Sequence, residues 1–211
     1  AHRYPNQLLR LIDRLDADGN TFLIHLDKRM DPTSFDLILR ETKGKSNIFF
    51  IRRFTCYWAG CGINQATCEG IKEVFRRKIV FDYLTLLSGQ DYPIKPKSFI
   101  RNYQKENEEL SFVNHYPFPF EEWNADNGGW DRVEKWFIIR NNIFAFPKAN
   151  QFKNKLSNAI WNRTFARLPI KRKFPNGLQP YGGAQFWSLH YKHAKILCDY
   201  IIKNPQYVSF F

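Results

Sequence analysis

Residues 21–39 read TFLIHLDKRMDPTSFDLIL, and the fold class turns on the change of pattern inside them. Residues 21–26 form a short β-rich apolar run that suits a strand. The pair Asp31-Pro32 then starts a helix, because proline is tolerated at the first helical position, where its missing N–H has no intrahelical partner. Phe35, Ile38 and Leu39 continue that helix. Between strand and helix, at the strand's carboxyl end, lie His25, Leu26, Asp27 and Lys28.

The alternation extends in both directions. Leu8, Leu11, Ile12 and Leu15 give one apolar helical face after Pro5, and residues 16–20 make a turn. Residues 47–51 (NIFFI) form the next strand, a loop runs from Trp58 to Gly62, and 63–77 is a helix with Ala66, Ile71, Val74 and Phe75 at apolar positions. Residues 83–87 (YLTLL) form a third strand that ends in Ser88, Gly89, Gln90 and Asp91. A strand over 184–189 and a helix over 191–202 close the pattern. Strands alternating with helices predict an α/β fold with a mostly parallel central sheet flanked by helices. Ligands in such sheets bind beyond the carboxyl ends of the strands. Residues 115–182 have weaker periodicity and hold Trp123, Trp130, Trp136 and Trp161. The chain therefore reads as one domain with a binding half over 1–115 and an irregular half over 116–211.

Composition narrows the class. Of 211 residues 44% are hydrophobic, which supplies a core and excludes a disordered chain. No apolar run reaches the length of a membrane span. Lys and Arg number 32 against 20 Asp and Glu, a net charge of +12 that attracts polyanions, anionic membrane surfaces or phosphorylated small molecules. Arg163, Arg167, Lys171, Arg172 and Lys173 cluster between aromatic and Pro-rich segments, so a basic nucleic-acid-binding module is a competing reading. The cysteines, Cys56, Cys61, Cys68 and Cys198, include no CxxC and no zinc-finger spacing, and reduced thiols point to a cytoplasmic setting. No GxxxxGK[ST] loop or GxSxG elbow is present.

Three groups stand at strand ends: His25 to Lys28, Tyr57 with Trp58, and Ser88 to Asp91. In a parallel sheet they share one edge. Asp27 there reads either as an acceptor for ribose hydroxyls or as a solvated loop carboxylate or helix cap. An aromatic can flank a base, and a Ser-Gly turn admits a ligand close to the backbone.

Taken in order, AHRYPNQLLRLIDRL, FLIHLDKR, YWAGCGINQA, YLTLLSGQDYPIKP and GGAQFWSLHYKHAKILCDYI resemble the core 2/I-branching N-acetylglucosaminyltransferase and peptide O-xylosyltransferase family. The likeness is strong over 1–115 and 181–203 and loose between them. The resemblance implies a GT-A-like nucleotide-sugar-binding fold and a UDP-sugar donor, with N-acetylglucosamine first and xylose second. It implies transfer to a saccharide hydroxyl with inversion, and no metal or other cofactor. By that resemblance Ala1, His2 and Arg3 sit near the uracil, Asp27 contacts the nucleoside, and Trp58 borders the base. Ser88, Gly89 and Asp91 line the donor sugar and diphosphate, Gly182, Gly183 and Ala184 lie beside the acceptor, and Arg132 and Lys135 match a basic acceptor-side stretch. A first apolar strand is expected before Ala1. The catalytic glutamate, in a Pro-Asp-Glu motif, and the cations that receive the diphosphate are expected beyond Phe211, so no catalytic residue is assigned.

Other patterns read as structural. Asp16-Ala17-Asp18 lies in the turn before a strand, at the wrong end of a sheet to hold a metal on a diphosphate. His190 and His193 are spaced as a metal pair would be, but a packed ring or a surface histidine is the ordinary role. The tryptophans are core more often than sugar platforms. A bacterial cytoplasmic enzyme of surface polysaccharide synthesis, peripheral at the inner membrane, is the expected setting, with the Golgi lumen as the alternative. A catalytically inactive saccharide-binding fragment is the remaining reading.

Overall fold

The computed structural model describes residues 1–57, 60–135, 139–140, 143–144, 171–175 and 177–210. Two compact units emerge, one of Ala1–Asn114 with Ala184–Ser209 and one over His115–Gly183. In chain order the first unit forms α1 (Pro5–Leu15), β1 (Phe22–Ile24), α2 (Pro32–Glu41), β2 (Ile48–Phe50), α3 (Cys61–Arg76), β3 (Tyr83–Leu86), α4 (Lys97–Glu106) and β4 (Phe112–Val113). The second unit holds β5 (Tyr116–Pro117), a 3-10 turn (Asn124–Gly129), α5 (Trp130–Glu134), β6 (Ile139–Arg140), β7 (Ile143–Phe144) and β8 (Tyr181–Gly182). The chain then runs through β9 (Trp187–His190), α6 (Tyr191–Lys203) and α7 (Pro205–Phe210).

The helix starts follow from local chemistry. Asp31 caps α2, its Oδ1 accepting the Ser34 N–H at 2.8 Å, with Pro32 at the first position. The α3 start is pressed against the preceding loop: a Cβ on Gly62 would stand 2.1 Å from the Thr55 carbonyl oxygen. Further along α3, the carboxylate of Glu73, 6% exposed, accepts from Arg76 and Arg77, and Arg77 lies over the Phe49 ring at 4.6 Å. That contact ties α3 to β2.

β1 and β2 pair in parallel, Phe22 opposite Ile48 and Ile24 opposite Phe50. β3 and β4 both pair antiparallel with β9. Among the described strands the mostly parallel expectation therefore holds only for β1 and β2. Alternation of elements locates strands but not their partners. Here the partner of β3 arrives from about a hundred residues later, and its register puts Leu84 opposite Leu189. That register turns Leu84 and Trp187 onto the core formed by Ile71, Cys198 and Ile201. The strand expected from residue 184 starts at Trp187, because the Ala184 N–H bonds to the Asn114 side chain at 3.3 Å instead of a ladder. The sequence pattern leaves α4 unassigned, and no residue of that helix is fully buried.

The other core of the first unit joins Leu8 and Ile12 of α1, Ile24 of β1, Leu26, Met30, Ile38 of α2 and Ile48 of β2. In the second unit Phe118 is buried and packs edge-on to Trp123 and Trp130, at centroid distances of 5.8 and 6.4 Å. Trp136 and Trp161, with Arg163 and Arg167, lie outside the described residues.

Ile38 has no exposed surface, whereas its neighbour Leu39 is 37% exposed. Ile38→Ala is expected to lower the unfolding free energy by about 2–5 kcal/mol and Ile38→Val by about 0.5–1.5 kcal/mol. Urea denaturation reads both, and an equal loss for Leu39→Ala would show that this core is misplaced.

Candidate functional site

The end of β1 is organised by one carboxylate. Asp27 is 2% exposed. Its Oδ1 accepts from the Arg29 backbone N–H at 2.8 Å and Arg29 Nε at 3.2 Å, and its Oδ2 accepts from an Arg29 terminal nitrogen at 2.9 Å and the Cys56 N–H at 3.2 Å. Burial pushes the carboxyl up, but the bonds from Arg29 and Cys56 outweigh it and hold it below its ordinary value. Asp27 is thus neither a solvated loop carboxylate nor a helix cap. Four donors already occupy its oxygens, so it acts as an anchor for the strand end. Arg29 also donates to the Cys56 carbonyl and lies over the Tyr57 ring at 4.4 Å.

Arginine also satisfies the backbone around this anchor. Arg53 donates to the carbonyls of Leu26 at 3.1 Å and Asp27 at 2.8 Å while its guanidinium covers Phe35 at 4.4 Å. His25 accepts the Phe54 N–H on Nε2 at 2.9 Å. Burial first, and neighbouring charge second, lower its imidazole to about 4, so the ring is neutral and carries its proton on Nδ1. Burial, and then Asp27, push the Cys56 thiol up to about 11, which keeps it protonated and unreactive. Arg29, Arg53 and His25 are the members of this cluster whose partners the sequence does not reveal. The only hint is that basic residues directly follow two apolar strands.

Two further segments meet here. The Ala1 nitrogen donates to the His25 carbonyl, and the Ala1 carbonyl accepts the Asp27 N–H at 2.8 Å, the two-bond pattern of a parallel strand beside Leu26. A Cβ on Gly89 would stand 2.8 Å from Ala1 Cβ and 3.6 Å from Leu8 Cδ1, so only glycine lets the turn after β3 approach so closely. The turn is closed by its own groups: Asp91 Oδ2 accepts the Ser88 N–H at 2.7 Å, and Ser88 Oγ accepts the Gln90 N–H at 3.2 Å. Of the sequence-predicted residues, Ala1, Asp27, Ser88, Gly89 and Asp91 are therefore brought to one edge. His2 and Arg3 are exposed beside them in the chain. Trp58 lies outside the described residues.

The residues matched to the acceptor side belong to the second unit. Arg132 stacks on Trp123 at 4.0 Å, and a Cβ on Gly182 would stand 2.4 Å from the same indole, so this tryptophan is a packed ring. Lys135 pairs with Asp131 at 2.5 Å, and Gly183 is exposed. Lys171 pairs with Glu134.

The Asp-x-Asp motif stands at the opposite end of β1. Asp16 is bonded to Asn47 at 2.9 Å and Lys45 at 3.2 Å, a brace between the turns that precede β1 and β2. His190 caps α6 by accepting the Lys192 N–H, and His193 bonds to Ser111 Oγ at 2.8 Å. Among the described residues no three His, Cys, Asp or Glu side chains gather in a metal-binding group.

A family model described as Core-2/I-Branching enzyme matches residues 2–211. A protein named Xylosyltransferase from Ciona intestinalis is 23% identical over 203 residues, covering 96% of this chain and 20% of that protein. Xylosyltransferase oxt from Drosophila pseudoobscura pseudoobscura is 25% identical over 111 residues, 53% of this chain and 13% of that protein. The chain spans a fifth or less of the length of these curated relatives.

The folded chain keeps His25 neutral down to about pH 4, whereas in the unfolded chain it takes up its proton near 6.5. The unfolded state therefore binds more protons across that window, and stability falls as the pH drops through it. Melting temperatures measured from pH 7 to 4 are expected to fall less steeply in His25→Gln, whose amide oxygen can accept the Phe54 N–H. Parallel curves for parent and variant would assign the loss to another group.

Proposed function

This chain belongs to the core-2/I-branching enzyme family, a family of glycosyltransferases, and we propose that it binds the donor in such a transfer. In this reading the donor is a UDP-sugar, N-acetylglucosamine is moved to a saccharide hydroxyl with inversion, and no divalent metal takes part. The carrying observation is the meeting of Ala1, the Asp27 anchor and the Gly89 turn at one strand edge. Ligands of α/β folds bind at such an edge. A GT-A-like sheet is the frame this proposal assumes.

Within the proposed site, Asp27 fixes the strand end and the Cys56–Tyr57 backbone so that the nucleoside meets a preformed surface. His2 and Arg3 lie beside the uracil, and Ser88, Gly89 and Asp91 shape the sugar and diphosphate pocket. On the family resemblance alone, Arg132, Lys135, Gly182 and Gly183 of the second unit are assigned to the acceptor. The acceptor oxygen bonds to the anomeric carbon as the bond to UDP breaks, and a carboxylate takes the hydroxyl proton. Metal independence is supported by Asp16, whose oxygens are taken by Asn47 and Lys45. The names of the relatives favour xylose as a second donor sugar. Free cysteines fit a cytoplasmic setting. Of the basic cluster behind the nucleic-acid reading, Lys171 pairs with Glu134 and Arg172 lies over the Phe210 ring at 3.9 Å, which counts against that reading.

Incubation of the full-length protein with UDP-N-acetylglucosamine or UDP-xylose and a panel of saccharide acceptors tests this. Transfer is expected to persist in EDTA and to invert the anomeric configuration by NMR, and its abolition by EDTA would overturn the metal-free reading. Gly89→Ala must push the turn away from Ala1, and a rise of at least about tenfold in donor KM is expected. An unchanged KM in a folded variant would remove the turn from the donor site.

A further inference from the structure

Residues 92–105 carry Lys95, Lys97, Arg101 and Lys105, and the nearest carboxylates in the chain, Asp91 before them and Glu106, Glu108 and Glu109 after them, stand at the two ends of the segment. Apolar groups stand beside these cations: Ile94 is 93% exposed, Phe99 50% and Tyr103 47%. Lys95 lies over the Phe99 ring at 5.2 Å, and the rings of Phe99 and Tyr103 stack at 6.5 Å. Arg101 donates to the Asp18 carbonyl at 3.0 Å and Lys97 to the Asp16 carbonyl, which fixes α4 on the turn before β1 without neutralising Lys95 or Lys105. An isoleucine held in water beside four cations loses the benefit of apolar burial.

We propose that residues 92–105 form a docking surface for an anionic membrane, with Ile94 and Phe99 entering the interface and the lysines reaching lipid phosphates. Charge complementarity selects this occupant, since each cation near an anionic leaflet strengthens binding about fivefold. The exposed aliphatic selects it over nucleic acid, which would use the rings and the cations but offers Ile94 no apolar medium. Tyrosine suits the headgroup level, and the lysine stems can lie along the apolar surface while the ammonium groups stay at the phosphates. The surface rests on the membrane and does not cross it, in keeping with the absence, among the described residues, of any helix long and apolar enough to span one. The inference does not depend on the proposed donor or on the transfer reaction.

Co-sedimentation of the full-length protein with phosphatidylcholine vesicles, with and without phosphatidylglycerol, tests it. Binding is expected only to the anionic vesicles. It should weaken at least about tenfold in Lys95→Glu/Lys105→Glu and also in Ile94→Asp, while Lys43→Glu/Lys203→Glu, which makes the same charge change elsewhere, stays within about twofold. Circular dichroism checks that each variant is folded. Failure to bind anionic vesicles would overturn the proposal, as would equal losses in both double variants, an unaffected Ile94→Asp, or equally tight binding to single-stranded RNA through the same residues.

Discussion

A buried carboxylate with four hydrogen-bond donors holds the working edge of the first unit together. Asp27 is the hub through which the end of β1, the 52–57 loop and the segment at Ala1 share a geometry. Removing a charge from water is costly unless hydrogen bonds replace the lost hydration. Here Arg29 and the Cys56 amide supply that replacement, and Arg53 completes the surrounding carbonyls. Because the same groups that satisfy Asp27 also place Cys56 and Tyr57, the electrostatics and the shape of this edge cannot be varied independently.

Close backbone approach is the second constraint, and glycine meets it twice. Gly89 lets the turn after β3 reach Ala1, and Gly182 lets β8 pass under the Trp123 indole. In the first case contact assembles a candidate ligand edge. In the second it builds a packed aromatic layer with Arg132 on the face of a half-buried ring.

Much of the first unit was legible in the residues. The Asp31-Pro32 helix start, the apolar face of α1 and the runs 21–26 and 83–87 all appear as elements near the expected places. What could not be read was pairing: β3 finds its neighbour in β9, far along the chain and in the opposite direction. Nor could the sequence show that Asp27 is saturated, since Arg29 stands two residues away and could as well have faced solvent. Helix α4 carries Phe99, Ile100 and Tyr103 at helical spacing after Pro96, but none of its residues is fully buried. The order of short motifs carried the family resemblance even though each motif alone is common, and the family model matches residues 2–211.

Calorimetric titration of the full-length protein with UDP, beside a folded Asp27→Asn variant, tests most directly whether the Asp27 anchor organises a nucleotide site. If it does, the parent binds UDP in the presence of EDTA, and binding weakens at least about tenfold in the variant, whose neutral amide holds Arg29 and the Cys56 loop less firmly. Equal affinities in parent and variant, or no binding to a folded parent, would contradict it.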